Sequence, residues 1–180
     1  MGVMTSADDA VAVLGRALDQ ASEVLTGVDA EQLGRPTPCG DWDVAALIGH
    51  LVAAPVHFLE MARGEQPDWS AQHRAGDSWV ADFRANADDL LTHWRQAGDA
   101  ADAGQVDWQT AEIAVHTWDL VRATGQSVEL APEVAERGLG FMSAMLTPEN
   151  RGEAFGPAVD VPEDAPVYER LAAFAGRDVG

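Results

Sequence analysis

Apolar residues recur every three or four positions along most of the chain, a period that predicts helices. Val11, Leu14, Leu18, Ala21 and Leu25 form one stripe, preceded by Ser6 as an N-cap with Asp8 and Asp9 in the first turn. Gly27 marks its stop. The run from Gly34 to Gly40, with Pro36 and Pro38, reads as a loop. Asp41 is placed to cap a second helix, with Asp43 in its first turn. Leu47, Ile48, Leu51, Val52, Phe58 and Leu59 make that helix's apolar face. Pro55 interrupts it and has no N–H for the carbonyl of Leu51, so a kink is expected.

Residues 63–76 are polar and carry glycine and proline, and they read as a second loop. A third helix is expected from about Asp77 to Gln96, anchored by Trp79, Phe83, Leu90, Leu91 and Trp94. After a loop from Gly98 to Gly104, a fourth runs from about Asp107 to Thr124, with Gly125 as its stop. A fifth starts at Pro132, a suitable first helical position, and continues through Leu139, Met142, Met145 and Leu146. Met142 and Met145 are expected in the core. The pattern weakens after Pro148, and a short helix from Val167 to Ala175 follows. No strand-like alternation or internal repeat appears. Four main helices with extras argue for an all-α bundle, with residues 1–180 as one domain.

Composition narrows the functional classes. The 180 residues carry 11 Lys and Arg against 30 Asp and Glu, a formal charge of −19. Such a surface repels phosphates, so neither nucleic acid nor an anionic membrane is an expected partner. One cysteine, Cys39, excludes an internal disulfide framework. The N-terminus has no basic region followed by an apolar run, and no stretch of about 18 apolar residues is evident. The expectation is a cytoplasmic protein, monomer or homodimer, acting on a small molecule.

The sharpest local feature is Glu112-Ile113-Ala114-Val115-His116. Four helical residues bring both side chains to one face, one turn apart. A carboxylate and an imidazole so placed can chelate a divalent ion, although such pairs also occur as solvated pairs or capped histidines. His50 lies in the apolar stretch Leu47 to Val52, where a buried imidazole needs a polar partner. Two such needs, on the second and fourth helices, can meet at one metal. Two histidines and a glutamate leave a fourth tetrahedral position open, the layout of a catalytic zinc site. Zinc comes first, with nickel, manganese or iron as alternatives.

Other residues compete for roles. His57, two turns after His50, is a rival ligand, and Pro55 weakens the argument against it. His73 and His93 lie in polar surroundings and read as surface residues. Cys39 precedes a helix N-terminus, a position that can lower a thiol pKa; it reads first as a small packing residue in a tight loop. Trp118 is a pocket candidate. Asp119 reads equally as a support for a ligand histidine or as the helical partner of Arg122. Trp42, Trp79, Trp94 and Trp108 read as core or pocket walls. Arg151 and the loop after it form either a lid over the site or a tail wrapping the bundle.

Several motifs resemble a known family. Thr37-Pro38-Cys39-Gly40-Asp41-Trp42-Asp43-Val44, followed by Leu47 to Leu51 with His50, looks like the second-helix entry of DinB-like proteins. The actinobacterial branch related to mycothiol-dependent maleylpyruvate isomerase is nearest. Glu112 to Gly125 matches that branch's fourth-helix signature. The tail is also typical of it, with Arg151-Gly152-Glu153-Ala154-Phe155-Gly156-Pro157, then Tyr168 to Leu171 and Phe174 to Arg177.

The resemblance implies an antiparallel four-helix bundle with additional short C-terminal helices and an irregular tail. It places a metal on His50, Glu112 and His116. It implies a thiol transferase or isomerase in which mycothiol, or another low-molecular-weight thiol, attacks a small electrophile as a metal-bound thiolate. Alternatives are a non-catalytic metal- or ligand-binding bundle and a hydrolase using metal-bound water. The isomerase has a further C-terminal domain that helps to form its active site. With the sequence ending at Gly180, maleylpyruvate isomerisation itself is not expected.

Overall fold

The computed structural model describes residues 6–151 and 155–180. Residues Gly152, Glu153 and Ala154 of the tail motif lie outside the described residues. Ser6 does cap α1 (Ala7–Thr26), accepting the N–H of Asp9 at 3.2 Å, and the predicted stripe from Val11 to Leu25 is buried. A 3-10 turn (Ala30–Gln32), which the apolar pattern does not signal, follows.

The second helix starts later than expected. α2 (Val44–Ala62) is capped by Asp43, which accepts the N–H of Ala46 at 2.9 Å, and not by Asp41. The loop explains the shift. Carbonyls of Arg35 and Leu33 take the N–H groups of Val44 and Ala45, each at 2.9 Å, so no earlier turn can form. Pro55 does not break α2, and Asn86 Nδ2 donates to the nearby Val52 carbonyl at 2.8 Å. By length and composition α2 is apolar enough to cross a membrane, a run the reading of the sequence missed. Its apolarity has a local cause: it packs against both α3 and α4 and carries a crossover on its back.

α3 (Trp79–Ala97) falls close to its predicted limits. A 3-10 turn (Gly98–Ala100) leads to α4 (Ala103–Thr124), which begins four residues before the expected Asp107. Asp102 caps it through the N–H groups of Gly104 and Gln105, at 3.0 and 3.2 Å. Gly125 ends it in the left-handed conformation, φ 67°. α5 (Pro132–Met145) and α6 (Val167–Phe174) complete the fold. Met142 is buried, but Met145 stands 55% exposed at the end of α5 and is not core.

The four long helices form a ring in the order α1, α3, α2, α4, so the all-α bundle stands. Trp79 of α3 meets Leu25 of α1, and Leu91 meets Gly15, an antiparallel pair. Phe58 of α2 meets Trp108 of α4 while His50 meets His116, also antiparallel. The remaining neighbours, α2 with α3 and α1 with α4, run in the same direction. Residues 63–78 make this possible, because they form a long crossover from the end of α2 back to its start. α5 lies on α4 and α1, and α6 on α5 and α4. α4 is therefore enclosed: its buried Thr110 and Thr117 donate to carbonyls one turn back, and Gln109 accepts from Trp94 through Oε1 while its Nε2 makes no hydrogen bond.

The crossover is held down on α2. Arg74 pairs with Asp43 at 3.0 Å, and the N–H of Ala75 donates to the carbonyl of Ala45 at 2.9 Å. It passes so close that a Cβ on Gly49 would lie 2.4 Å from the backbone of His73. Gly49→Ala removes a helix penalty of about 1 kcal/mol, but the clash is with backbone and must displace the strap. We expect a net destabilisation of about 1–3 kcal/mol, read as a lower urea midpoint. An unchanged or higher midpoint would show that the strap yields freely.

Candidate metal centre

α2 and α4 cross where His50 faces Glu112 and His116. Helical spacing stacks the last two, with His116 Nε2 lying 3.4 Å from Glu112 Oε2. His50 Nε2 lies 3.8 Å from the same oxygen, and the two imidazole centroids are 4.7 Å apart. One donor atom from each of the three residues falls within 4.8 Å of the others. These distances bring together the three residues expected as ligands.

The chemistry of the cluster fits a cation. At 3.8 Å His50 Nε2 makes no hydrogen bond, and this buried nitrogen has no partner. An unpaired buried imidazole nitrogen costs free energy that ligation would recover. Burial pushes His50 below the usual histidine range despite nearby Glu112, which keeps its ring neutral and able to donate a lone pair. Burial opposes ionisation of Glu112, but His116 and His50 outweigh it and hold its carboxyl well below the usual range. A divalent ion among one carboxylate and two neutral imidazoles would leave a net positive charge, suited to an anionic fourth ligand.

Behind His116 stands a second layer of charge. Its Nδ1 lies 3.1 Å from Asp119 Oδ2, which leaves Nε2 turned toward Glu112. Asp119 is fully buried and also receives Nε and Nη2 of Arg177, at 3.2 and 3.0 Å. Burial disfavours the Asp119 carboxylate, yet His116 and Arg177 outweigh it and lower its pKa. Burial likewise disfavours a charged His116, but Asp119, Cys39 and Glu112 together raise it well above the ordinary value. Asp119 thus pairs with His116 and Arg177 and not with Arg122. Arg122 lies instead over the ring of Trp118, 5.3 Å from its centroid.

A pocket of about 950 Å³ opens onto the cluster. His50, Glu112 and His116 form part of its lining, with Trp42, Trp69, Trp108, the Pro38–Asp41 loop, Phe155 and Arg177 around them. Cys39 is not the packing residue expected. Thr37 closes its loop by accepting the Cys39 N–H at 3.1 Å and donating to the Trp42 carbonyl at 2.8 Å. That turn puts the Cys39 sulfur within 4.8 Å of donor atoms of His116 and Asp119.

The remaining candidates fall outside the lining. Trp118 packs in the core under Arg122. His57 Nδ1 lies 3.2 Å from Glu60 Oε2, and its ring is tilted against Trp69, one layer behind the wall. Arg151 donates to the carbonyls of Gly156 and Phe174, next to Phe155 of the pocket lining. Trp79 donates to Leu25 and Trp94 to Gln109, both away from the site. His73 is exposed, as expected, but its ring lies 5.7 Å from that of His57. His93 is half-buried against Trp94 and is not a free surface residue.

Two participants carry no local signal in the sequence. Trp69 sits in a polar loop, and only the crossover's path brings it over α2. Arg177 lies 58 residues beyond Asp119, and a sharp turn at Gly176, φ 88°, aims it inward. A Cβ there would meet Gly156 backbone at 2.7 Å, so two glycines let the two tail segments close on the pocket.

The chain matches the family model described as mycothiol maleylpyruvate isomerase N-terminal domain over residues 14–124, which spans His50, Glu112 and His116. It is similar to an uncharacterized protein of Mycobacterium tuberculosis, in strain H37Rv and in strain CDC 1551. Each is 33% identical over 173 residues, covering 91% of this chain and 95% of theirs. No solved structure matches. The family match over most of the chain and the similarity along nearly all of it agree: the chain belongs to the mycothiol maleylpyruvate isomerase N-terminal domain family.

Proposed function

We propose that this protein binds a divalent metal, zinc first, on His50, Glu112 and His116. With it the protein uses a low-molecular-weight thiol of the mycothiol type in a transfer or isomerisation reaction on a small electrophile. The observation that carries the reading is the buried, partnerless Nε2 of His50, facing Glu112 and His116 at the wall of an open pocket. A divalent ion there supplies Lewis acidity that lowers the pKa of a bound thiol.

The chain's own residues set the frame for that chemistry. Asp119 fixes the ring of His116, and Arg177 fixes Asp119. Trp42 lies 4.8 Å from the His50 ring and 5.9 Å from His116, and it shields both from water on one side. The acidic surface disfavours nucleic acid and supports a small-molecule partner. A cytoplasmic setting, where such thiols are kept reduced, belongs to the same proposal.

Metal-loaded protein incubated with mycothiol and a panel of electrophiles should yield thiol adducts or thiol-dependent isomers by mass spectrometry. Chelated protein should yield none above the uncatalysed background. Turnover without thiol would replace this reading with metal-assisted hydrolysis. Stoichiometric metal with no turnover in either screen would leave a binding protein.

A further inference from the structure

The ligand triad takes up only part of the pocket wall, and much of the rest is aromatic. Three indoles reach it from three separate elements. Trp42 comes from the loop before α2, Trp69 from the crossover, and Trp108 from α4, one turn before Glu112. Trp69 lies 6.2 Å from His50, ring centre to ring centre. It stands 5.9 Å from Trp108 with the two planes at 84°, so the pair forms a corner beside the triad. Phe58 closes the corner from behind, 5.8 Å from Trp69 and 5.2 Å from Trp108.

Trp69 is out of place unless something covers it. It is 41% exposed, on a polar segment of a chain whose charge is −19. Its ring packs on His57, Phe58 and Trp108, and it also lines the pocket. A flat ring entering the corner would stack on one indole and meet the other edge-on, the two geometries that aromatic pairs favour.

Charge does not choose the occupant. Among the described residues lining the pocket, Arg177 carries the one guanidinium, and Asp119 already binds it through two nitrogens. A divalent ion on the triad would offset Glu112 and Asp41. The indoles therefore distinguish one substrate body from another.

Building on the proposed activity, we infer that the pocket selects an electrophile carrying an aromatic ring. The ring sits in the corner of Trp69 and Trp108, with its electrophilic carbon turned toward His50, Glu112 and His116. The corner binds the ring whether or not thiol is present, so substrate class can be tested apart from turnover.

The test is calorimetric titration of the metal-loaded protein with two unreactive probes: naphthylmethanol and its saturated counterpart decahydronaphthylmethanol. Naphthylmethanol should bind at one site about tenfold more tightly than the saturated alcohol. Trp69→Leu should abolish that preference, and Trp69→Phe should keep most of it. Trp69 packs on Phe58 and Trp108, so Trp69→Leu should melt somewhat lower than Trp69→Phe, and titrations are made well below both melting temperatures. Equal affinity for the two alcohols, no binding of the arene, or an unchanged preference in Trp69→Leu would each overturn the inference. Arene binding without thiol turnover would sink the activity and leave the ring site standing. Thiol turnover confined to aliphatic electrophiles would sink the ring site and leave the activity.

Discussion

Glu112→Ala protein, purified without added metal, is expected to carry no stoichiometric divalent ion, while His57→Ala protein retains a full complement. Glu112 is the one anionic donor of the triad, and its oxygen lies nearest both imidazole nitrogens. Without it two neutral rings face each other 4.7 Å apart and nothing offsets the ion's charge. Loss of a supporting group beyond the ligands costs about 10–100-fold in metal affinity, and loss of a ligand costs more. Elemental analysis and chelator competition measure both quantities.

The prediction also separates two overlapping donor groups. Cys39, His116 and Asp119 form a second cluster within ligand reach, and it shares only His116 with the first. If Glu112→Ala keeps its metal and Cys39→Ala loses it, the second cluster is the metal site. Retention by Glu112→Ala and by His50→Ala would refute the assigned triad outright. His57 serves as the control because its ring turns to Glu60 and Trp69, away from the pocket.

The triad was legible because helices have a fixed period. Glu112 and His116 must share a face of α4 whatever surrounds them. An imidazole set among Leu47, Ile48 and Leu51 must find a partner. The helices themselves followed from the same period, and their errors lie at ends. Asp41 and Asp43 are equally good caps by residue type. The choice between them depended on which N–H groups the loop's carbonyls had already taken. Likewise Asp102 opens α4 early because its carboxylate reaches two N–H groups, in a run that reads as loop by composition.

Two things lay beyond local pattern. Helix direction was one: the crossover over residues 63–78 makes α2 and α3 co-directional, and nothing in the stripes of either helix encodes that. The pocket's outer wall was the other. Trp69, Phe155 and Arg177 arrive from loops and tail, whose paths are set by contacts distant in sequence, such as Arg151 on the carbonyl of Phe174. Cys39 shows the intermediate case, since its turn was readable but not what the turn aimed it at.

Arg177 leads to the second large effect. Asp119→Ala would leave a guanidinium that is only 4% exposed facing an alanine. Breaking a buried pair from one side costs about 3–5 kcal/mol, so a large drop in the urea midpoint is expected. The same change removes the acceptor at His116 Nδ1 and should weaken metal binding about 10–100-fold. Taken alone, that loss of affinity has two readings, because a loosened fold also loosens ligands. The double variant Asp119→Leu with Arg177→Met divides them. Removing both charges and filling the space with apolar atoms is often neutral or stabilising, so the urea midpoint should recover to near the wild-type value. Metal affinity should not, because His116 Nδ1 still lacks its acceptor and its ring is free to turn. If affinity recovers together with stability, Asp119 merely neutralises Arg177. If stability recovers and affinity stays low, the tail of the chain reaches the metal through Asp119 and His116, and Arg177 is a positioning residue of the site.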